Sequence, residues 1–296
     1  MSGSRTPPPA SAPDEAAPTR AAGYRPRRTL PFRVEALRQL RRRRTLVMLG
    51  LLAAVPWVLV IAFQVGGDPQ RDAVPTLVDV ATRSALNLTA FALFVSTGFL
   101  LVVAVALFCG DTVASEASWS SLRYLLAAPV PRARLLRVKL AVSLAYSAVA
   151  MVLLPAMALL AGVVAFGWGP LEIPTGGSVP AGEAMRRMAV VVAYAMVSQL
   201  VVAAFAFWLS TVTDAPLGAV GGAVGLVVVS TIVDAVTALG VWREILPTHW
   251  QFAWVDALQT DMEWEGMVKG SAISVTYALI FVALAFRHFE RKDIVS

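Results

Sequence analysis

Residues 46–65 read LVMLGLLAAVPWVLVIAFQV, a stretch with no charged side chain and only one strongly polar one, Gln64. A run of this length is too apolar to alternate between a core and water. It is long enough to cross the hydrocarbon layer as a helix, since about 20 residues at a rise of 1.5 Å span roughly 30 Å. Five further blocks have the same character, at 85–108, 140–166, 188–209, 217–239 and 268–286. The last carries Lys269 in its first turn, where a long side chain reaches the interface. The fourth and fifth are separated by 210–216, whose Asp214-Ala215-Pro216 is a turn signal. Composition agrees: 15% of the residues are charged, against about 25% in a soluble domain. The expected fold class is therefore an all-α integral membrane protein with six transmembrane helices.

The distribution of cations orients these spans. Of the 25 Lys and Arg residues, 19 fall on the side that holds the N-terminal segment, the 109–139 connection and the C-terminal tail. The excess of basic residues predicts both termini in the cytoplasm. The net charge of +6 is spent on that asymmetry, and no separate basic domain exists to bind nucleic acid. Residues 1–29 contain six prolines and little that forms a core, so they are expected to be a disordered cytoplasmic tail. The six-span domain then runs over 30–296. Its first element, PFRVEALRQLRRRR at 31–44, sets Phe32, Val34, Leu37 and Leu40 among arginines. It is expected to be an amphipathic helix on the inner membrane surface, the alternative being a bare basic stop before the first span.

Two features within the apolar part invite a reading. The fifth span opens PLGAVGGAVG, with Gly218 and Gly222 four apart, and Gly221 and Gly225 likewise. That spacing lets two helix backbones approach closely. It fits a subunit interface and packing within one chain equally well. Between the last two spans, 240–266 holds Trp242, Trp250, Phe252, Trp254 and Trp264, a density of aromatics that belongs at the lipid–water boundary. An outer interfacial or re-entrant segment is expected there. Pro56 and Pro155 inside spans are expected to kink them.

Catalytic chemistry is missing from the pattern. The lysines are Lys139, Lys269 and Lys292, and none completes a phosphate-binding Gly-x-x-x-x-Gly-Lys-Ser/Thr loop. His249 and His288 are far apart, which leaves too few ligands for a zinc protease. No Gly-x-Ser-x-Gly elbow occurs. Cys109, the single cysteine, excludes an intrachain disulfide. Asp234, about a turn inside the fifth span, is a weak basis for an ion relay, because such relays gather several buried ionisable groups. A water-exposed or hydrogen-bonded aspartate accounts for it better. No catalytic, cofactor or metal residue is expected in this chain.

The connection 109–139 is long for a loop. Its segment 116–127 lacks Pro and Gly and sets Leu122, Leu125 and Leu126 on one side, which predicts a short amphipathic helix with Ser115 and Ser118 available as caps. Pro129 and Pro131 end it. The alternative is a solvated basic loop. Read in full, the segment gives Glu116, Ser120, Ser121, Leu122, Arg123, then Pro129-Val130-Pro131-Arg132, then Lys139. This resembles the first cytoplasmic loop of the membrane subunits of type-2 ABC exporters, with its pattern Glu-x-x-x-Gly-Thr-Leu-Arg, Pro-Val-Ser-Arg and a Lys opening the third span. Ser120 and Ser121 stand where the family has Gly-Thr, and Pro131 where it has Ser. The ending FRHFERKDIVS is similar to the family's aromatic-basic-Asp tail through Phe289, Arg291, Lys292 and Asp293.

The resemblance implies a permease subunit in a bacterial plasma membrane. Two permeases, identical or different, would pair, and two separate ABC ATPase subunits would dock below on the N-terminal helix and the 115–128 helix. ATP and Mg would be bound by those partners and not by this chain. It also implies that Glu116, Leu122, Arg123, Leu126 and Arg132 belong to the ATPase-coupling surface. The path walls would come largely from the first, second and fifth spans. Two other classes compete: a channel or scaffold without an ATPase partner, and an intramembrane enzyme, which the lack of a catalytic constellation disfavours.

Overall fold

The computed structural model describes residues 31–66, 77–118, 132–174, 176–259 and 262–291. Almost all of these are helical. The helices are α1 (Phe32–Leu40), α2 (Arg43–Val65), α3 (Leu77–Val80), α4 (Ala85–Thr97), α5 (Leu100–Ser118) and α6 (Arg132–Phe166). They continue as α7 (Ala181–Ser198), α8 (Leu200–Val212), α9 (Pro216–Asp234) and α10 (Glu265–Arg291). Among the described residues, five helical stretches are long and apolar enough to cross a membrane, with α7 and α8 forming one of them. The count is six if the bent pair α4–α5 is one span. The chain is a multi-pass helical membrane protein.

The apolar runs and the helices agree in place but not in length. α6 begins at Arg132 instead of residue 140 and is 35 residues long. At 1.5 Å per residue it extends about 52 Å, well beyond a 30 Å hydrocarbon layer. About four of its turns are therefore more than the layer needs. α9 stops at Asp234, five residues before the end of its apolar run, and the chain turns into 3-10 helix at Thr237–Ile245. Gly240 breaks that range at φ 52°, ψ −129°, a non-helical kink that a side chain resists. Pro56 and Pro155 are both buried within continuous helices, and neither ends its span.

The pair α4–α5 departs most from a straight rod. α4 and α5 meet at Gly98–Phe99 with a bend of 58°. Such a break frees carbonyls that lipid cannot satisfy. Gln199, buried at the junction of α7 and α8, donates from Nε2 to the Thr97 carbonyl at 3.3 Å. Two helix breaks, one between α4 and α5 and one between α7 and α8, thus meet. α8 is the hub of the bundle, packing on α5, α9 and α10, while α6 packs on α2, α4 and α5. Phe207, Val105 and Leu135 are buried in one half of the interior, and Leu93, Leu154 and Trp254 in the other.

One end of the bundle gathers α1, the last turns of α5, the first turns of α6 and the end of α10. The opposite end carries a hairpin pairing Leu171–Glu172 with Ser178–Val179, the only strands among the described residues. It also carries the aromatic segment, which folds as short 3-10 helices at Thr237–Ile245 and Ala253–Leu258. At the α9 surface, Cβ atoms added to Gly221 and Gly225 meet nothing within 4 Å. One added to Gly222 comes within 2.7 Å of Leu209 Cδ1 on α8. The four glycines therefore do not act alike: Gly222 seats a neighbour from its own chain, while Gly221 and Gly225 face outward. The close intrachain approach falls elsewhere, at Gly110 of α5, where an added Cβ lies 3.2 Å from the Val220 backbone nitrogen.

Candidate functional site

α1 is amphipathic in an unexpected sense. Glu35 and Gln39, four apart and on one face, are buried, whereas Phe32, Val34, Leu37 and Leu40 point outward. The inward face is polar because it meets polar groups. Gln39 Nε2 donates to the Phe108 carbonyl at 3.3 Å, and Tyr146 Oη of α6 donates to the Ala36 carbonyl at 2.8 Å. The element also ends at Leu40, so Arg43 and Arg44 belong to α2 and not to a helix running to residue 44.

Beneath α1 lies a cluster of buried charges. Lys139 is 1% exposed, Glu116 2% and Glu35 3%. Lys139 Nζ lies 2.6 Å from Glu116 Oε1 and donates to Glu35 Oε1 at 2.9 Å. Arg38 Nη1 reaches the same Glu116 oxygen at 2.9 Å. Next to this centre, Asp111 accepts from Arg42 Nη1 and Arg44 Nη1, each at 2.8 Å, and Arg42 also donates to Ser115 Oγ at 2.9 Å. Buried charge persists only when it is paired, and each of these carboxylates has a cation against it. The cluster fastens three elements together: α1 and the start of α2, the last turns of α5, and the first turns of α6.

Glu116 thus differs from expectation. It does not open a separate helix, and its carboxylate is buried. It sits in the last turns of α5, which runs unbroken to Ser118, and its carboxylate is consumed by Lys139 and Arg38. Ser115 likewise lies within that helix, where its Oγ donates to the Asp111 carbonyl at 2.5 Å. The polar residues Asp111, Thr112 and Ser115 read as loop because they end the apolar run, yet tertiary ion pairs carry the helix through them. Leu122, Arg123 and Leu126, with Pro129 to Pro131, lie outside the described residues. What the structure gives is the two feet of that connection. One is α5 at Glu116, and the other is α6 at Arg132, whose Nη1 donates to the Glu290 carbonyl of α10 at 3.3 Å. Both feet are tied to other elements of the bundle.

Glu35, Arg38, Gln39 and Asp111 were not singled out by sequence. Their one legible signal is the i, i+4 pair Glu35/Gln39, which places a polar stripe along a helix otherwise made of apolar and arginine residues. Asp234 at the other end is hydrogen-bonded and ion-paired, with His249 Nδ1 at 2.6 Å and Arg243 Nε at 3.4 Å from its Oδ1. Lys269 pairs with Glu265 at 2.8 Å and lies over the Trp250 ring. Cys109 is buried with its Sγ 3.7 Å from Ser147 Oγ. Among the described residues, no group of three or more His, Cys, Asp or Glu side chains is placed to hold a metal ion.

Residues 48–295 match the family described as Protein of unknown function (DUF2705). The chain is also 28% identical over 213 residues to the uncharacterized protein YhcI of Bacillus subtilis (strain 168). That alignment takes in 68% of this chain and 65% of that protein, so the chain spans just under two thirds of this relative.

Proposed function

We propose that this chain, which belongs to the family described as Protein of unknown function (DUF2705), is the permease subunit of an ATP-driven ABC exporter. In this reading it lies in a bacterial plasma membrane with both termini in the cytoplasm. α1 rests on the inner surface with its apolar side toward lipid, and a separate ATPase grips the 119–131 connection. The chain itself does no covalent chemistry, and ATP and Mg are held by the ATPase.

The observation that supports this most is the buried Glu35–Lys139–Glu116 centre. A motor pulling on 119–131 loads α5 through Glu116 and α6 through Lys139, and the same salt bridges pass the load to α1. A solvated loop has no use for such an anchorage at its feet. An exporter does, because its ATPase must move several spans together. The basic segment and its motif-like residues supply the contact itself, with Arg123 as the cation facing the ATPase.

Glu116→Ala cannot test this, because it opens a buried charge cluster. Arg123→Ala is the informative change. Tagged wild-type chain drawn from its native membrane should bring down a nucleotide-binding subunit, at two ATPases per pair of permeases. Breaking one partly buried interfacial charge pair costs about 2–5 kcal/mol, so Arg123→Ala should lose most of that subunit while its own thermal unfolding is unchanged. Absence of any nucleotide-binding subunit with the wild type would return the chain to the channel or scaffold class.

Pairing of two permeases is proposed at the open face of α9. Gly221 and Gly225 have room for side chains within their own chain, so Gly221→Leu together with Gly225→Leu leaves the fold intact and overfills a close helix seam. Overpacking of this kind costs about 1–3 kcal/mol, which should weaken dimerisation about tenfold in a cross-linking or light-scattering titration. An unchanged dimer would move the interface to another face.

A further inference from the structure

The buried contact between Glu35 and Lys139 fixes which side of α1 faces away from the bundle. Arg33, Leu37 and Arg41 follow one another at i, i+4 spacing on the side away from Glu35 and Gln39. Arg41 keeps helical backbone angles just past the last turn, so the line runs the length of the helix. Val34 and Leu40 flank it, and all of these side chains are exposed. Guanidinium groups and aliphatic side chains therefore share one outward surface instead of taking separate faces.

The cations of that surface lack counter-charge. Glu35 is the only acid between residues 31 and 66, and it is buried on the other side. Arg38, Arg42 and Arg44 are taken by Glu116 and Asp111, whereas Arg33, Arg41 and Arg43 have no acidic partner among the described residues. The depth of the patch follows from the chain. Arg43 opens α2 only about 4.5 Å along the helix before Leu46 and Val47, the first exposed side chains of the apolar run. Water alone would strand Leu37 and Leu40, and hydrocarbon alone would strand Arg33 and Arg41. A layer of phosphate bordering acyl chains satisfies both. A choline headgroup brings an ammonium that competes with the arginines, and a headgroup of net negative charge does not.

We propose that the outward face of α1, together with Arg43 of α2, binds the phosphate headgroups of anionic glycerophospholipids, with Arg33 and Arg41 pairing with phosphate on either side of Leu37. The site rests on the placement of α1 at the membrane surface proposed above and requires no ATPase, so loss of the exporter reading does not touch it.

The test uses the full chain in detergent micelles containing a phosphatidylglycerol with a diazirine on its headgroup. After illumination, adducts should concentrate in residues 32–46. Unlabelled phosphatidylglycerol should displace the probe, while phosphatidylcholine and inorganic phosphate at the same concentration should not. An arginine beside an anionic lipid surface is worth about fivefold in binding, so Arg33→Gln with Arg41→Gln should lower labelling about twentyfold. Arg33→Lys with Arg41→Lys keeps both charges and should label like the wild type. So should Arg137→Gln with Arg287→Gln, which removes two exposed cations from the same end of the bundle. Equal displacement by phosphatidylcholine would overturn the proposal, and equal displacement by inorganic phosphate would reduce the patch to a site for any anion. A glutamine pair at 33 and 41 that labels like the wild type would also overturn it, as would an equal loss from the pair at 137 and 287.

Discussion

Lys139→Met should destabilise the protein by about 3–5 kcal/mol, the largest effect expected of any single substitution here. The ammonium sits between Glu35 and Glu116 at 2.9 and 2.6 Å, in a site that excludes water. Methionine fills much of the same volume, so packing is nearly kept. What is lost is the charge that allows two carboxylates to be buried together. Arg38 continues to serve Glu116 at 2.9 Å but lies 3.9 Å from Glu35, too far to replace the lysine there. Glu35→Gln and Glu116→Gln, combined with Lys139→Met, should restore most of the loss, because no buried carboxylate is then left uncompensated and the remaining cation, Arg38, has a side chain 43% exposed to solvent. The comparison is read from unfolding midpoints in mixed micelles, with hydrogen exchange over 32–40 reporting release of α1. A Lys139→Met protein that melts with the wild type would show that the cluster does not hold α1 in place.

Gly162→Ala should cost about 1–3 kcal/mol although it adds a single methyl group. A Cβ at this position of α6 comes 2.6 Å from the Ala85 Cα and 3.1 Å from its carbonyl oxygen, both backbone atoms of α4. The start of α4 cannot retreat to make room. Ala85 N donates to the Gly167 carbonyl at 3.0 Å, and Ser84 Oγ donates to the Pro170 carbonyl at 2.8 Å, so the segment just beyond α6 holds it from the far side. Gly50→Ala is the matched control. Nothing lies within 4 Å of its added Cβ, and alanine improves helix propensity by about 1 kcal/mol. The two variants should shift the thermal midpoint in opposite directions. If both rose, the contact between α4 and α6 would have to be looser than its geometry.

These two sites also mark what a sequence displays and what it hides. The spans are legible because lipid demands long unbroken apolar runs, and 46–65 satisfies that demand without knowledge of any neighbour. The bend at Gly98–Phe99 is not legible, since a glycine inside an apolar run looks the same whether or not its helix breaks. What decides the break is Gln199, a hundred residues away, which satisfies the freed Thr97 carbonyl. The buried cluster is hidden for the same reason. Glu35 among arginines reads as one more charge on a surface helix, and Lys139 as the basic residue that opens a span. Only the fold brings them together. Asp111 and Glu116 fell into an expected loop because hydropathy ends where they begin, although ion pairing continues their helix. Gly221 and Gly222 look interchangeable in PLGAVGGAVG, yet adjacent positions on a helix are 100° apart and face different surroundings.

The Glu35–Lys139 pair finally bears on how the chain is built during synthesis. The two residues are 104 positions apart. When Glu35 leaves the ribosome, the cation it needs has yet to be translated, and so have α4, α5 and the start of α6. Until then α1 has an acidic stripe with nothing to dock on, and its burial is deferred to the arrival of the third long apolar helix. The first of the described elements is therefore among the last to settle. Its docking registers whether α2, α5 and α6 have all been inserted in the correct arrangement, which gives the assembling protein a proofreading step at its own N-terminal end.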